Sequence, residues 1–162
     1  MNVNFKEIES KFSPDEEGYC TAAEDGMIAT QSAHATEIGK QMLKKNGNAV
    51  DAAVAAALAL GVSEPQASGI GGQSMILMGN RKHVISIDGS SRAPSLAHAT
   101  AIYKDDRSIG YRATTVPSTL ACMWYTHKTY GKLDWKKIID PIIDLAEGGY
   151  PITVLQEKLQ IR

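Results

Sequence analysis

The chain has 162 residues, 43% of them hydrophobic and 22% charged, which is enough to bury the core of one globular unit and is the wrong balance for a disordered or fibrous protein. A formal net charge of −1, with no Lys/Arg cluster, excludes the electrostatic footprint of a nucleic-acid binder. Cys20 and Cys122 lie far apart, with no CxxC and no Cys/His spacing suited to zinc, so they are expected as buried or free thiols with no structural metal.

Residues 1–25 read as a lead-in. Met1 to Glu17 alternates charges with Phe5, Ile8 and Phe12, and Ser13-Pro14 and Gly18 break the pattern. This stretch lacks the apolar core and small-residue cleavage site of a secretory signal, so a cytoplasmic location is expected. From Ser32 to Lys45 a helix is predicted, with Ala35, Ile38, Gly39, Met42 and Leu43 on one stripe and Gly47 as its stop.

A second helix is predicted from Ala49 to Val62. Asn48 is placed to cap it, with Asp51 three residues on to bond back. Only Asp51 is charged in this run, and the small side chains leave no polar face, so burial on nearly all sides is expected. The run falls short of the about 20 strongly apolar residues that span a bilayer, and no membrane role is expected. Glu64-Pro65-Gln66 and the glycines at 69, 71 and 72 follow. This loop has no Lys-Ser/Thr after it and opens no helix, so it is not a phosphate cradle.

Two antiparallel strands are predicted at Ser74 to Met78 and His83 to Asp88, with Gly79-Asn80 as the hairpin signal. Arg92-Ala93-Pro94 opens a connector through Thr100, and a weaker strand is predicted over Gly110 to Thr115. Pro117 starts a helix that Gly131 ends. Asp134 can cap the next helix, in which Trp135, Ile138, Ile139, Ile142, Ile143 and Ala146 repeat at helical spacing, Pro141 introduces a kink, and Gly148-Gly149 marks the end. A further helix begins near Thr153. The chain therefore reads as α+β.

Gly26-Met27-Ile28-Ala29-Thr30, Ala35 to Gly39, Leu43 to Ala53, Glu64-Pro65, Gly69 to Gly72, Asp88 to Pro94, Val116-Pro117, Tyr130 to Leu133 and Pro141 to Pro151, in that order, resemble the N-terminal part of the gamma-glutamyltransferase family of self-cleaving N-terminal-nucleophile hydrolases. The resemblance implies the N-terminal portion of an αββα sandwich, incomplete in this chain, with residues 26–162 forming part of the large-subunit domain. It implies attack by a Thr hydroxyl on an amide carbonyl, with the free amino group of that Thr as base and no metal or organic cofactor. The Thr is expected downstream of these residues, so no catalytic residue is placed in this chain and the chain alone is expected to be inactive. The implied partners are the remaining part, or small subunit, of the same precursor and a small-molecule γ-glutamyl or amide substrate.

Thr114-Thr115, the lone Thr pair, precedes Val116-Pro117 and does not match the family's nucleophile. The histidines His34, His83, His98 and His127 show no motif spacing with a carboxylate or Ser, and each is expected at the surface or in packing.

The family's Asp-x-Arg-Glu-x-Ala-Pro segment, whose Arg grips the substrate α-carboxylate, reads here Asp88-Gly89-Ser90-Ser91-Arg92-Ala93-Pro94. Ser90 stands where the family has its arginine. Two accounts follow, besides that of Arg92 as an ordinary residue at a turn. On an extended segment Arg92 shares a face with Ser90 and can reach back about 7 Å into the same pocket. Alternatively Ser90 and Ser91 offer neutral hydrogen bonds to a different acidic or amide substrate, and this Ser-Arg-Ala-Pro variant resembles amidohydrolase relatives more than glutathione-cleaving ones. The candidate substrate-binding residues are therefore Ser90, Ser91 and Arg92.

Overall fold

A computed structural model describes residues 23–98, 100 and 108–161; most of the lead-in, Cys20 and part of the connector after Arg92 lie outside the described residues. The order is α1 (Ala33–Lys44), α2 (Ala49–Ser63), β1 (Ser74–Gly79), β2 (Val84–Gly89), a 3-10 turn (Tyr111–Ala113), α3 (Thr119–Tyr130), α4 (Trp135–Gly148) and α5 (Val154–Gln160). This is a mixed helix-and-sheet unit, in keeping with a partial α+β domain.

The core is built around α2. Helix α1 lays Ala35, Ile38 and Met42 against it, α4 adds Ile138 and Ile142, and α3 adds Met123. Met42, Val54 and Ile138 are among the largest fully buried side chains, each stabilising the fold by about 1.5–3 kcal/mol relative to exposure. Burial of α2 is less complete than its composition predicts. Ala49 and Ala53 remain exposed on the side that faces β1, where an apolar cleft of about 510 Å³ separates helix from strand.

The strands pair antiparallel with Ile76 opposite Ile87 and Met75 opposite Asp88. Because side chains alternate across a strand, Ile76 and Met78 are half-buried while Met75 and Leu77 lie on the exposed face, 70% and 75% accessible. The hairpin differs in detail from the two-residue signal. The Asn80 side chain accepts from the Lys82 and His83 backbone N–H groups, and residues 80–83 form the loop.

Several boundaries move for local reasons. Asn46, at φ 65°, takes the left-handed position after α1, one residue before the Gly47 expected as its stop. Asp134 occupies the N-cap of α4 without a side-chain cap bond, whereas Thr153 caps α5 through a capping box with Gln156. Pro141 lies inside α4, where it removes one backbone donor. The strand predicted over Gly110 to Thr115 is absent. Gly110, at φ 96°, turns the chain into the 3-10 segment, and only Val116 pairs, as an isolated bridge to Arg92.

Asp51 does more than cap. Asn48 Oδ1 accepts from the Val50 and Asp51 N–H groups, and Asp51 Oδ2 accepts from Asn48 N at 2.8 Å, completing the capping box. The same carboxylate accepts from Lys132 N at 3.0 Å and Leu133 N at 3.2 Å, while Asn48 Nδ2 donates to the Tyr130 carbonyl. Fully buried, Asp51 thus joins the start of α2 to the α3–α4 loop. That approach requires a glycine at 131, since a Cβ there would lie 2.6 Å from the His127 carbonyl oxygen and 2.9 Å from Asp51 Oδ1.

His127 is a packing histidine, as expected, and it also lies beside a carboxylate that sequence spacing does not link to it. Its Nε2 lies 3.3 Å from Asp51 Oδ1 and its ring packs against Trp135 at 5.1 Å. The contact is within ion-pair distance but off hydrogen-bond geometry, and neither ring nitrogen makes a hydrogen bond.

Candidate functional site

The end of β2, the glycine loop and the start of α3 meet at one edge of the molecule. Gly89 is buried there, and the site requires a glycine, since a Cβ would lie 2.6 Å from Cys122 Cβ and from the Ser74 carbonyl oxygen. The Ser118 hydroxyl donates to the Gly89 carbonyl instead of capping α3. The Gly72 carbonyl accepts from Ser118 N at 3.0 Å and Thr119 N at 3.3 Å, so the loop itself closes the helix start.

On this frame Asp88 to Arg92 is held at each residue by a different bond. Asp88 Oδ1 accepts from the Ser90 backbone N–H at 2.9 Å and from its hydroxyl at 2.6 Å. The Ser90 hydroxyl and then its N–H hold the exposed Asp88 carboxyl below the usual carboxylate range. Ser91 N donates to Gln73 Oε1 at 3.3 Å, and its hydroxyl lies 3.5 Å from the same atom. Arg92 N donates to the Val116 carbonyl at 3.1 Å and the Arg92 carbonyl accepts from Val116 N at 2.8 Å.

Ser90, Ser91 and Arg92 are therefore brought to one edge with unequal capacity. The Ser90 hydroxyl proton is committed to Asp88, which leaves that oxygen as an acceptor. Arg92 has a pinned backbone and an exposed side chain, and among the described residues no carboxylate lies within ion-pair distance of it. An anion approaching this edge meets one guanidinium and, beside it, one ionised carboxylate that repels it. No group of three or more His, Cys, Asp or Glu side chains among the described residues could hold a metal ion.

Thr114 and Thr115 are exposed on the segment that leads to the Val116 bridge. His34 is half-buried, His83 and His98 are exposed, and the His127–Asp51 contact lies in the interior. Residues 51 and 127 are too distant in sequence for spacing to link them; the single carboxylate in an Ala/Val/Leu helix was the signal available.

The gamma-glutamyltranspeptidase family model matches residues 35–161. The chain belongs to the gamma-glutamyltranspeptidase family. Among its relatives, a glutathione hydrolase proenzyme of Bacillus subtilis is 40% identical over 158 residues, which cover 91% of this chain and 27% of that protein. Among solved structures, the gamma-glutamyltranspeptidase of Helicobacter pylori superimposes with a TM-score of 0.79 at 33% identity, covering 86% of this chain and 42% of that one. A cephalosporin acylase from Bacillus halodurans superimposes with a TM-score of 0.74 at 30% identity over 90% of this chain and 29% of that one. The chain thus spans about a quarter of the length of the Bacillus subtilis relative. No helix among the described residues is long and apolar enough to cross a membrane.

Proposed function

We propose that these residues form the N-terminal scaffold, and one wall of the substrate pocket, of a self-processing enzyme that hydrolyses or transfers a γ-glutamyl or related acyl-amide group. The observation that carries the reading is the Asp88–Arg92 segment, matched to the family's carboxylate-binding segment and pinned between the glycine loop and α3. In the complete protein the chain would contribute to an αββα sandwich, with the exposed Met75–Leu77 face covered by a second layer. The nucleophilic Thr lies outside these 162 residues, on the remaining part of the same precursor, and forms the acyl-Thr intermediate. The reading keeps the cytoplasmic location expected from Met1 to Glu17 and invokes no cofactor.

Within that reading Arg92 supplies the charge that the family's arginine would supply from position 90. The ionised Asp88 beside Ser90 disfavours a carboxylate seated at position 90 itself, so the anion-binding end moves toward Arg92. Likeness to both a glutathione hydrolase and a cephalosporin acylase supports an acyl-amide substrate class wider than γ-glutamyl compounds. A non-catalytic packing module is the rival reading, favoured by the loss of arginine at position 90. Intact-mass measurement of the complete gene product, incubated alone, separates them: self-cleavage into two pieces, the second starting with Thr, is the expected result, and a single uncleaved mass overturns the enzyme reading.

A further inference from the structure

The end of β2 presents hydrogen-bond acceptors outward and keeps its donors engaged within the protein. Ser90 N and the Ser90 hydroxyl both donate to Asp88 Oδ1, at 2.9 Å and 2.6 Å. Ser91 N donates to Gln73 Oε1 at 3.3 Å, and the Ser91 hydroxyl is turned to the same oxygen at 3.5 Å. The N–H and O–H groups of both serines are thus taken up internally. Asp88 Oδ2 and the lone pairs of Ser90 Oγ, by contrast, receive no donor among the described residues. Asp88 and Ser90 are exposed, so these acceptors are open to a ligand from outside.

The acceptors stand on a fixed frame. Gly89, between Asp88 and Ser90, is buried beside Cys122, and its carbonyl accepts from the Ser118 hydroxyl. In the ladder Asp88 stands opposite Met75, at the end away from the 80–83 loop, so it lies at the rim of the exposed Met75–Leu77 face. Met75 Sδ, 3.9 Å from Ser90 Oγ, adds a polarizable wall beside the acceptors. The two bonds from Ser90 hold the Asp88 carboxyl below the usual carboxylate range, which keeps it ionised at neutral pH. Among the described residues no Lys, Arg or His lies within ion-pair distance to neutralise it.

We propose that this edge binds a protonated primary amine on the acyl group of the substrate, the ammonium donating to Asp88 Oδ2 and Ser90 Oγ. A carboxylate in the same place would find no free donor on Ser90 or Ser91 and would face the Asp88 charge. A neutral amide N–H would make one of the bonds without the charge assistance that makes a hydrogen bond to an ionised partner about twice as strong. The sign of the group recognised at position 90 is therefore the reverse of what an arginine there would select, and Arg92 is left for the anion of a substrate that carries both charges. The assignment rests on the acyl-amide reading above and names the substrate class of that same site, acyl groups that bear an amine.

The test is calorimetric titration of the complete gene product with 4-aminobutanoate and with glutarate. Both are acids that hydrolysis of the matching acyl amides would release, and they differ only in carrying an ammonium or a carboxylate at the end remote from the reacting carbon. Tighter binding of 4-aminobutanoate, by about tenfold, is expected from one charge-assisted hydrogen bond. Asp88→Asn keeps an oxygen for the Ser90 N–H but removes the charge, and should bring the two affinities level. Ser90→Arg should reverse the preference. Both positions are exposed, so the variants keep the fold, which circular dichroism of each verifies. Binding of neither ligand, equal affinities or a preference for glutarate in the wild type, or a preference that Asp88→Asn leaves unchanged overturns the amine site. The readout needs no turnover: a protein that prefers 4-aminobutanoate yet hydrolyses no acyl anilide has an intact amine site and a failed acyl-transfer reading, and one that hydrolyses anilides without the preference shows the converse.

Discussion

Replacing Asp51 with Ala removes the acceptor for the Asn48, Lys132 and Leu133 backbone N–H groups at one stroke. Each buried donor left unsatisfied costs about 1–3 kcal/mol, and full addition would overstate the sum because Asn48 and Lys132 retain some access to water. His127 also loses the carboxylate 3.3 Å from its ring. The expected loss is about 3–5 kcal/mol, the range for removing one partner from a buried polar cluster. An ordinary helix cap is worth about 1 kcal/mol, so the two accounts of Asp51 differ by a measurable margin. Urea unfolding of the chain followed by circular dichroism provides the assay, with Asn48→Ala, Asp51→Ala and the double variant forming a cycle. Strong coupling between the two sites is expected, because Asn48 and Asp51 share the capping box and both reach the 130–133 segment. Asp140→Ala, which removes an exposed pair with Lys136, should cost at most about 1 kcal/mol and serves as the control. A loss of only about 1 kcal/mol for Asp51→Ala, additive with Asn48→Ala, would refute the bridging role.

Gly131→Ala should destabilise by about 1–3 kcal/mol, since the new methyl meets backbone and the Asp51 carboxylate, which cannot both withdraw; thermal unfolding at the wild-type midpoint would contradict this. Ser90→Ala should raise the Asp88 pKa, because the hydroxyl is the largest influence holding it down, and an unchanged NMR carboxyl titration would remove that cause. By linkage, the depressed pKa of Asp88 contributes stability that is present at neutral pH and disappears as pH falls through the folded-state value, so Ser90→Ala should reduce the acid sensitivity of unfolding. Arg92→Ala in the complete enzyme should weaken substrate binding by about 1.5–3 kcal/mol if its guanidinium binds the substrate anion, and an unchanged KM would make Arg92 structural.

Much of the scaffold was legible because its signals are local. The stripe on α1, the Asn48–Asp51 box, the alternation in β1 and the C-terminal end of α3 at Gly131 follow from periodicity and from donors within a few residues. Where long-range contacts decide, local reading fell short. Asp51 reaches Lys132 and Leu133 across more than 80 residues, and Ser118 serves Gly89 in preference to its own helix. The strand predicted over Gly110 to Thr115 failed because Gly110 turns the chain, leaving only Val116 to pair. At the candidate site, the substitution at position 90 could be read directly. The commitment of its hydroxyl to Asp88 and the pinning of Arg92 by Val116 needed three dimensions.

The central claim is acyl transfer from an amide to a Thr made available by self-cleavage. Mixing the complete gene product with a γ-glutamyl anilide, quenching within the first turnovers and weighing the separated pieces tests it most directly. The account predicts released aniline together with a γ-glutamyl mass increment on the Thr-started piece and none on the piece that contains residues 1–162. Cleaved protein that releases no aniline and carries no increment, from this or other acyl-amide substrates, would contradict it.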